Sequence, residues 1–171
     1  FMPEGESIGK KFTPYSAFDS SKPEDLWSWL DGTSKETGAN FLAIPHNPNI
    51  SGGLMFDAVD SEGRPITADY ARTRMRWEPV EEIVQIKGDS ETHPGLSPND
   101  EFAGFEPFSH MIDSTELQSG GSGAAKANPG DYVRSGLKRG LEIEQATGVN
   151  PYKVGVIGST DSHTGLASAE E

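Results

Sequence analysis

Apolar residues in this chain fall into short runs separated by clusters of glycine, proline and polar residues, and the spacing within each run predicts its structure. Residues 1 to 20 scatter Pro3, Gly5, Gly9 and Pro14 among polar neighbours without a period, which predicts extended or irregular chain. From Pro23 to about Glu36 a helix is expected. Ser21, Pro23, Glu24 and Asp25 favour its start through capping, a preset φ and negative charge at the positive end of the macrodipole. Leu26, Trp27 and Leu30 share a face of that helix, and Gly38 supplies a stop. Phe41 to Ile44, ended by Pro45, His46, Asn47 and Pro48, predicts a short buried strand. Thr67 to Trp77 predicts a second helix, with Thr67 as cap and Tyr70, Arg74 and Trp77 along one side. Glu82 to Lys87 alternates apolar and polar residues as a strand does, then runs into Gly88, Asp89, Ser90, Glu91, Thr92 and His93.

The second half repeats the theme. Val133, Leu137 and Leu141 recur at every fourth position after the start signal Asn128-Pro129-Gly130-Asp131, and Gly148, Asn150 and Pro151 end the pattern, so Asp131 to Thr147 is the strongest helix prediction. Lys153 to Ile157, with its run VGVI, predicts a last strand that gives way to Gly158, Ser159, Thr160, Asp161, Ser162, His163, Thr164 and Gly165. Between these halves, residues 118–128 contain the compositionally simple stretch SGGSGAAKAN and are read as a flexible or engineered linker. Short apolar strands alternating with helices predict an α/β domain with mainly parallel strands. The chain of 171 residues suits one domain, and it is shorter than the roughly 250 residues of a full eight-fold barrel. Because it opens on Phe1-Met2, it is expected to be a fragment with an internal start.

Charge and composition narrow the function. A formal net charge of -13 with no basic run argues against nucleic acid or an anionic membrane surface as partner. No apolar stretch approaches the ~20 residues of a membrane span, and no targeting segment is evident, which leaves the compartment and the oligomeric state open. The absence of cysteine removes disulfides, thiolate ligands and a cysteine nucleophile. Any metal must therefore be held by His, Asp or Glu.

Three of the four histidines, His46, His93 and His163, lie just beyond predicted strands, and in parallel α/β folds the carboxyl ends of strands converge on one face. Asp161-Ser162-His163 is the strongest local constellation, because residues i and i+2 of an extended segment point the same way and offer a carboxylate and an imidazole to one cation. A D-x-H triplet also arises in a plain surface turn, where Asp161 and Ser162 bond to local backbone. His46 is a third candidate ligand, of a character suited to Zn, Mn or Fe, or else a strand-end histidine satisfied by a carbonyl. Asn47 is a candidate for orienting substrate or for capping its turn. Glu91 and His93 are candidates for proton transfer or for a second metal, against the alternative of a polar loop. Glu82 sits within a strand, where an acidic residue points either at solvent or at a site. His110 has no such context and reads as structural. No G-x-S-x-G, P-loop or H-E-x-x-H occurs.

Taken together, AIPHNPNISGGLMFD, RWEPVEEIVQIKGDSETHP and DYVRSGLKRGLEIEQATGVNPYKVGVIGSTDSHTG resemble the bacterial domain-of-unknown-function family 3604, itself similar to the PHP (polymerase and histidinol phosphatase) metallohydrolases. The resemblance implies a distorted β/α barrel and a cluster of divalent metals that activates water for phosphoester hydrolysis. His46 matches the mid-chain histidine of that family, and Asp161 and His163 match its closing aspartate-x-histidine motif. Glu82 or Glu91 matches an intermediate acidic position, with the choice open. The opening H-x-H motif of the superfamily is absent from this chain, consistent with a later portion of the barrel. The expected activity is metal-dependent hydrolysis of a small-molecule phosphoester or related ester. Two rivals stand beside it: a non-catalytic ligand-binding domain on the same scaffold, and a metal-free hydrolase using Ser159 or Ser162.

Overall fold

The computed structural model describes residues 5–108 and 127–163. Along the chain these form α1 (Gly5–Gly9), α2 (Pro23–Thr37), a 3-10 turn at Pro48–Ile50, α3 (Ala68–Trp77), β1 (Val80–Gln85), β2 (Gly88–Asp89), a second 3-10 turn at Pro129–Asp131, α4 (Val133–Thr147) and β3 (Gly155–Gly158). His110, Gly165 and residues 117–126 of the glycine-serine stretch lie outside the described residues.

The predicted helices form, although Lys22 and not Ser21 is the N-cap of α2 and no side chain caps that end. In α2, Pro23 occupies the first turn beside Glu24 and Asp25, and Gly38 closes the helix at φ 72° with its N–H donating to the carbonyl of Ser34. The Thr67 hydroxyl accepts the Tyr70 N–H at 3.2 Å and caps α3. Trp27 and Leu30 of α2 pack with Trp77 of α3 in one core cluster, and the Trp27 and Tyr70 rings meet edge to face at 5.1 Å. Where irregular chain was expected near the start, α1 forms instead, with Ile8 as its buried residue. Its burial overrides the weak propensity of a glycine-flanked segment.

α4 follows its predicted span but turns a different face inward. Leu137 and Leu141 are 41 % and 63 % exposed, while Val133, Gly136 and Gly140 are buried. The glycines decide this. A Cβ built at Gly136 would stand 2.4 Å from the Phe56 ring, and one at Gly140 would stand 2.2 Å from the Asn150 side-chain oxygen. The helix approaches Phe56, Asn150 and Tyr152 more closely than a leucine face allows, and Phe56, Tyr152 and Val133 form the second core cluster. Gly136→Ala is therefore expected to destabilise the protein by about 1–3 kcal/mol through overpacking, although alanine is the better helix former by ~1 kcal/mol. A higher urea midpoint for the variant would show that the ring yields to the methyl group.

The sheet is small, open and mixed, with order β2-β1-β3. β1 pairs with β3 in parallel (Val80↔Gly155, Glu82↔Ile157) and with β2 antiparallel (Gln85↔Gly88), so the mainly parallel arrangement expected from the sequence is corrected to one parallel and one antiparallel pairing. The chain reverses at Ile86-Lys87 because Gly88 takes φ 93°, and this shifts the expected strand Glu82 to Lys87 upstream to Val80–Gln85. Phe41 to Ile44, expected as a buried strand, is extended but not a regular strand, and the residues of β3 are exposed. The described residues thus form an α/β arrangement around an open three-stranded sheet; they do not close into a barrel.

Candidate functional site

β1 is the axis of the candidate site, because three chain segments run beside one another along it. Pro79 accepts from the Gly155 N–H at 2.9 Å on the β3 edge. Three residues further on, the Glu82 N–H donates to the Pro45 carbonyl at 3.1 Å. Successive strand residues direct their backbone groups to opposite edges, so the segment leading to His46 lies across β1 from β3. The Ala43 N–H donates to the Trp77 carbonyl, and the two contacts advance along both chains in the same sense, so this flank runs parallel to β1. His46 and Asp161 therefore follow the downstream ends of two parallel-running segments, one on each side of β1.

Beyond β3, the Ile86 N–H holds the Thr160 carbonyl at 3.2 Å, and Asp161 comes next. Asp161 and His163 both take the left-handed backbone conformation (φ 47° and 56°), which aspartate and histidine tolerate better than most residues. The expected extended i, i+2 geometry is thus replaced by a left-handed turn. The turn still brings the pair together, with His163 Nε2 lying 2.7 Å from Asp161 Oδ1. An ionised carboxylate only accepts, so Nε2 carries a proton, and in the neutral ring Nδ1 keeps the lone pair. The other carboxylate oxygen, Oδ2, accepts from the Lys87 ammonium. This bond, supported by His163, pulls the Asp161 carboxyl down to about 2.

Lys87 extends the arrangement inward. Its ammonium also donates to Gln85 Oε1 at 3.1 Å, and Gln85 Nε2 donates to Glu82 Oε2 at 2.7 Å. The register shift between Glu82 and Val84 lets residues three apart in a strand face each other, as bulges do. A continuous polar chain therefore joins Glu82, Gln85, Lys87, Asp161 and His163. Glu82 and Gln85 are buried and His163 is exposed, so the chain leads from the interior to the surface.

The other candidates stand outside this chain. His46 is exposed, and its side chain makes no hydrogen bond or ion pair among the described residues. Asn47, at φ 54°, has its side-chain oxygen buried without a hydrogen-bond partner among the described residues. Glu91 pairs with Arg134, which also holds Asp100 at 2.7 Å. His93 accepts the Gly95 N–H at Nδ1 (3.0 Å) beside the Tyr132 ring, which places the proton of its neutral ring on Nε2. Sequence reasoning passed over Gln85 and Lys87, whose alternation with the apolar Val84 and Ile86 at the strand end looks like ordinary strand patterning. It also passed over Glu81. That side chain is 1 % exposed, neither carboxylate oxygen has a hydrogen-bond partner among the described residues, and burial raises its pKa to about 8 despite the buried Arg74 guanidinium.

Among the described residues, no three His, Asp or Glu side chains gather as a metal-holding group. With Nε2 bonded to Asp161, His163 presents Nδ1 as one imidazole donor of a type suited to Zn, Mn or Fe, and Asp161 stands behind the ring as its orienting carboxylate. No helix of the described residues is long and apolar enough to cross a membrane. No curated protein and no solved structure matches the chain. The family model described as a protein of unknown function (DUF3604) matches residues 1–171, and the chain belongs to that family.

Proposed function

We propose that this chain contributes to a metal-dependent hydrolase of the PHP-like type, acting on a small-molecule phosphoester or related ester, with the open sheet forming part of a distorted β/α barrel. The observation that carries the reading is the contact between Asp161 and His163 just past the end of β3, in parallel register with β1. Residues at the carboxyl ends of parallel strands are where such folds place their chemistry. A divalent ion of the Zn, Mn or Fe class would supply a hydroxide nucleophile near neutral pH and polarise the ester oxygen.

The residues of the chain have separable parts in this reading. Asp161 accepts the His163 Nε2–H and so fixes the tautomer that leaves Nδ1 as a ligand, the partnership common around metal-bound imidazoles. Glu82 and His46 are the further ligand candidates, and Asn47, whose buried side-chain oxygen has no hydrogen-bond partner among the described residues, is the candidate for orienting substrate. His93 carries its proton at Nε2 and Glu91 is a carboxylate, so proton transfer is assigned to these two, with Arg134 holding Glu91 in place.

Asp161→Ala and His163→Ala are each expected to lower bound metal, measured by elemental analysis after dialysis, and to reduce Mn- or Zn-stimulated phosphoester hydrolysis by about 100-fold or more. Undiminished metal content and turnover in both variants would sink the proposal. Metal binding without hydrolysis of any ester offered would favour the ligand-binding role on the same scaffold.

A further inference from the structure

We propose that the cleft between α4 and the loop from Thr92 to Ser97 binds the phosphate group of a small phosphorylated molecule, with Lys138 and Arg139 as the cations that hold it. The cleft has a volume of about 380 Å³, within the range of small-molecule sites, roughly 300–1,000 Å³. α4 supplies Arg134, Lys138 and Arg139 to its lining, and the loop supplies Thr92, Leu96 and Ser97. Neither Asp161 nor His163 lines it, so the proposal stands apart from the hydrolase reading. In a chain of formal net charge -13, most cations are already paired with carboxylates. Of the described lysines and arginines, Lys11, Lys138, Arg139 and Lys153 are those with no ion pair among the described residues. Lys138 and Arg139 are neighbours in sequence and line the same cleft, where Glu142 is the lining carboxylate. Two cations around one cleft repel each other, and a dianion between them removes that repulsion.

The frame around these cations is already in place. Arg139 donates one N–H to the Phe56 carbonyl, which anchors the guanidinium and leaves others of its five donors for a ligand. Arg134 is a clamp, not a ligand: it holds Glu91 and Asp100 and reaches Ser97 Oγ at 3.4 Å, which ties the loop to α4. The Leu96 and Ser97 N–H groups both donate to the His93 carbonyl, at 2.8 and 3.0 Å, so the loop is a closed turn. A wall fixed before binding lowers the ordering cost of binding. The Thr92 and Ser97 hydroxyls lie 2.8 Å apart; their mutual bond uses one hydroxyl hydrogen and leaves the other for an oxyanion. Donors from two walls suit a tetrahedral phosphate, whose oxygens diverge, better than a planar carboxylate, which one guanidinium can hold by itself. Leu96 adds an apolar surface for the rest of the molecule.

The test is calorimetric titration of the purified chain with inorganic phosphate in a chelator-containing chloride buffer, so that no metal contributes, with succinate as the carboxylate comparison. Wild type is expected to bind phosphate with a Kd of about 1 mM or tighter. Lys138→Ala and Arg139→Gln should each weaken binding about tenfold or more, because each removes a charge from the cleft. Lys153→Ala removes an unpaired cation that does not line the cleft, and should stay within about twofold of wild type because salt screens exposed charges at a distance. Absence of saturable heat with phosphate would overturn the proposal, as would equal weakening by Lys138→Ala and Lys153→Ala, or wild-type binding in both cleft variants. Tighter binding of succinate than of phosphate would overturn the assignment to phosphate. Should Arg139→Gln not fold without its bond to Phe56, judged by its circular-dichroism melt, Lys138→Glu at an exposed position carries the test, with loss of phosphate binding expected. Phosphate binding with this pattern in a protein that hydrolyses no ester would uphold the cleft while the hydrolase reading fails.

Discussion

Truncating Phe56 to alanine is expected to lower the unfolding free energy by about 3–5 kcal/mol, the range for deleting a buried aromatic ring. Phe56 is fully buried and centres the core cluster with Ile66, Ala71, Val133 and Tyr152. Its ring meets Tyr152 edge to face at 5.4 Å. The cost should fall at the upper end of the range because the site has little room to collapse. The Phe56 N–H is bonded to the Gly130 carbonyl at 3.0 Å, its own carbonyl accepts from Arg139, and Gly136 of α4 already lies against the ring. Backbone pinned on two sides relaxes little into a void, and the unfilled volume is then lost packing. Urea denaturation followed by circular dichroism measures the change. A loss below about 1 kcal/mol would mean that α4 moves in to fill the space, contrary to the packing described.

The second large effect concerns Glu81, the buried carboxyl facing Arg74. Its neighbours set the sign. Arg74 is buried, lies 3.2 Å from a Glu78 carboxylate oxygen without the N–H alignment of a hydrogen bond, and stacks over the Tyr152 ring at 4.7 Å. Glu78 in addition accepts the Trp27 indole N–H at 2.7 Å. One buried cation thus already has a committed carboxylate, and Glu81 is driven toward its neutral form by burial, with Glu78 and Glu82 adding to the effect.

The folded-state pKa of Glu81, about 8, lies above its ordinary value of 4.5. The protonated group therefore contributes stability that is fully present below about 4.5 and is lost as the pH rises through about 8. Glu81→Gln, which cannot ionise, is expected to flatten that dependence and to leave the variant more stable than wild type by a few kcal/mol, order of magnitude, at pH 9. Denaturant midpoints at pH 5 and pH 9 give the comparison. Parallel pH profiles for the two proteins would mean that Glu81 is ionised in the fold and that Arg74 neutralises it after all.

These two residues also mark where sequence reading stops. Phe56 sits in SGGLMFD without a helical or strand period, so nothing local announces a core position. Glu81 and Glu82 are adjacent and chemically identical in the sequence. Only their strand geometry separates them, because consecutive side chains leave a strand on opposite faces. One then meets Arg74 and the interior, and the other meets Gln85 and the polar chain that reaches His163. The Asp161–His163 contact was legible as a pair, since two residues apart is a local relation, although a left-handed turn makes it and not the extended geometry expected.

What the sequence determined by itself was whatever depends on a few neighbouring residues. α2 and α3 follow from the cap, first-turn and stop signals at Pro23, Thr67 and Gly38, and α4 from its period and Gly148, because helix hydrogen bonds and end groups are satisfied within a turn or two. What only the tertiary structure decided was which face of α4 is buried, how β2 and β3 flank β1, and that Lys87 reaches across 74 residues to Asp161. These depend on steric fit and charge pairing between segments far apart along the chain. A glycine reads the same whether it faces water or Phe56, and a lysine reads the same whether it is solvated or holds a carboxylate.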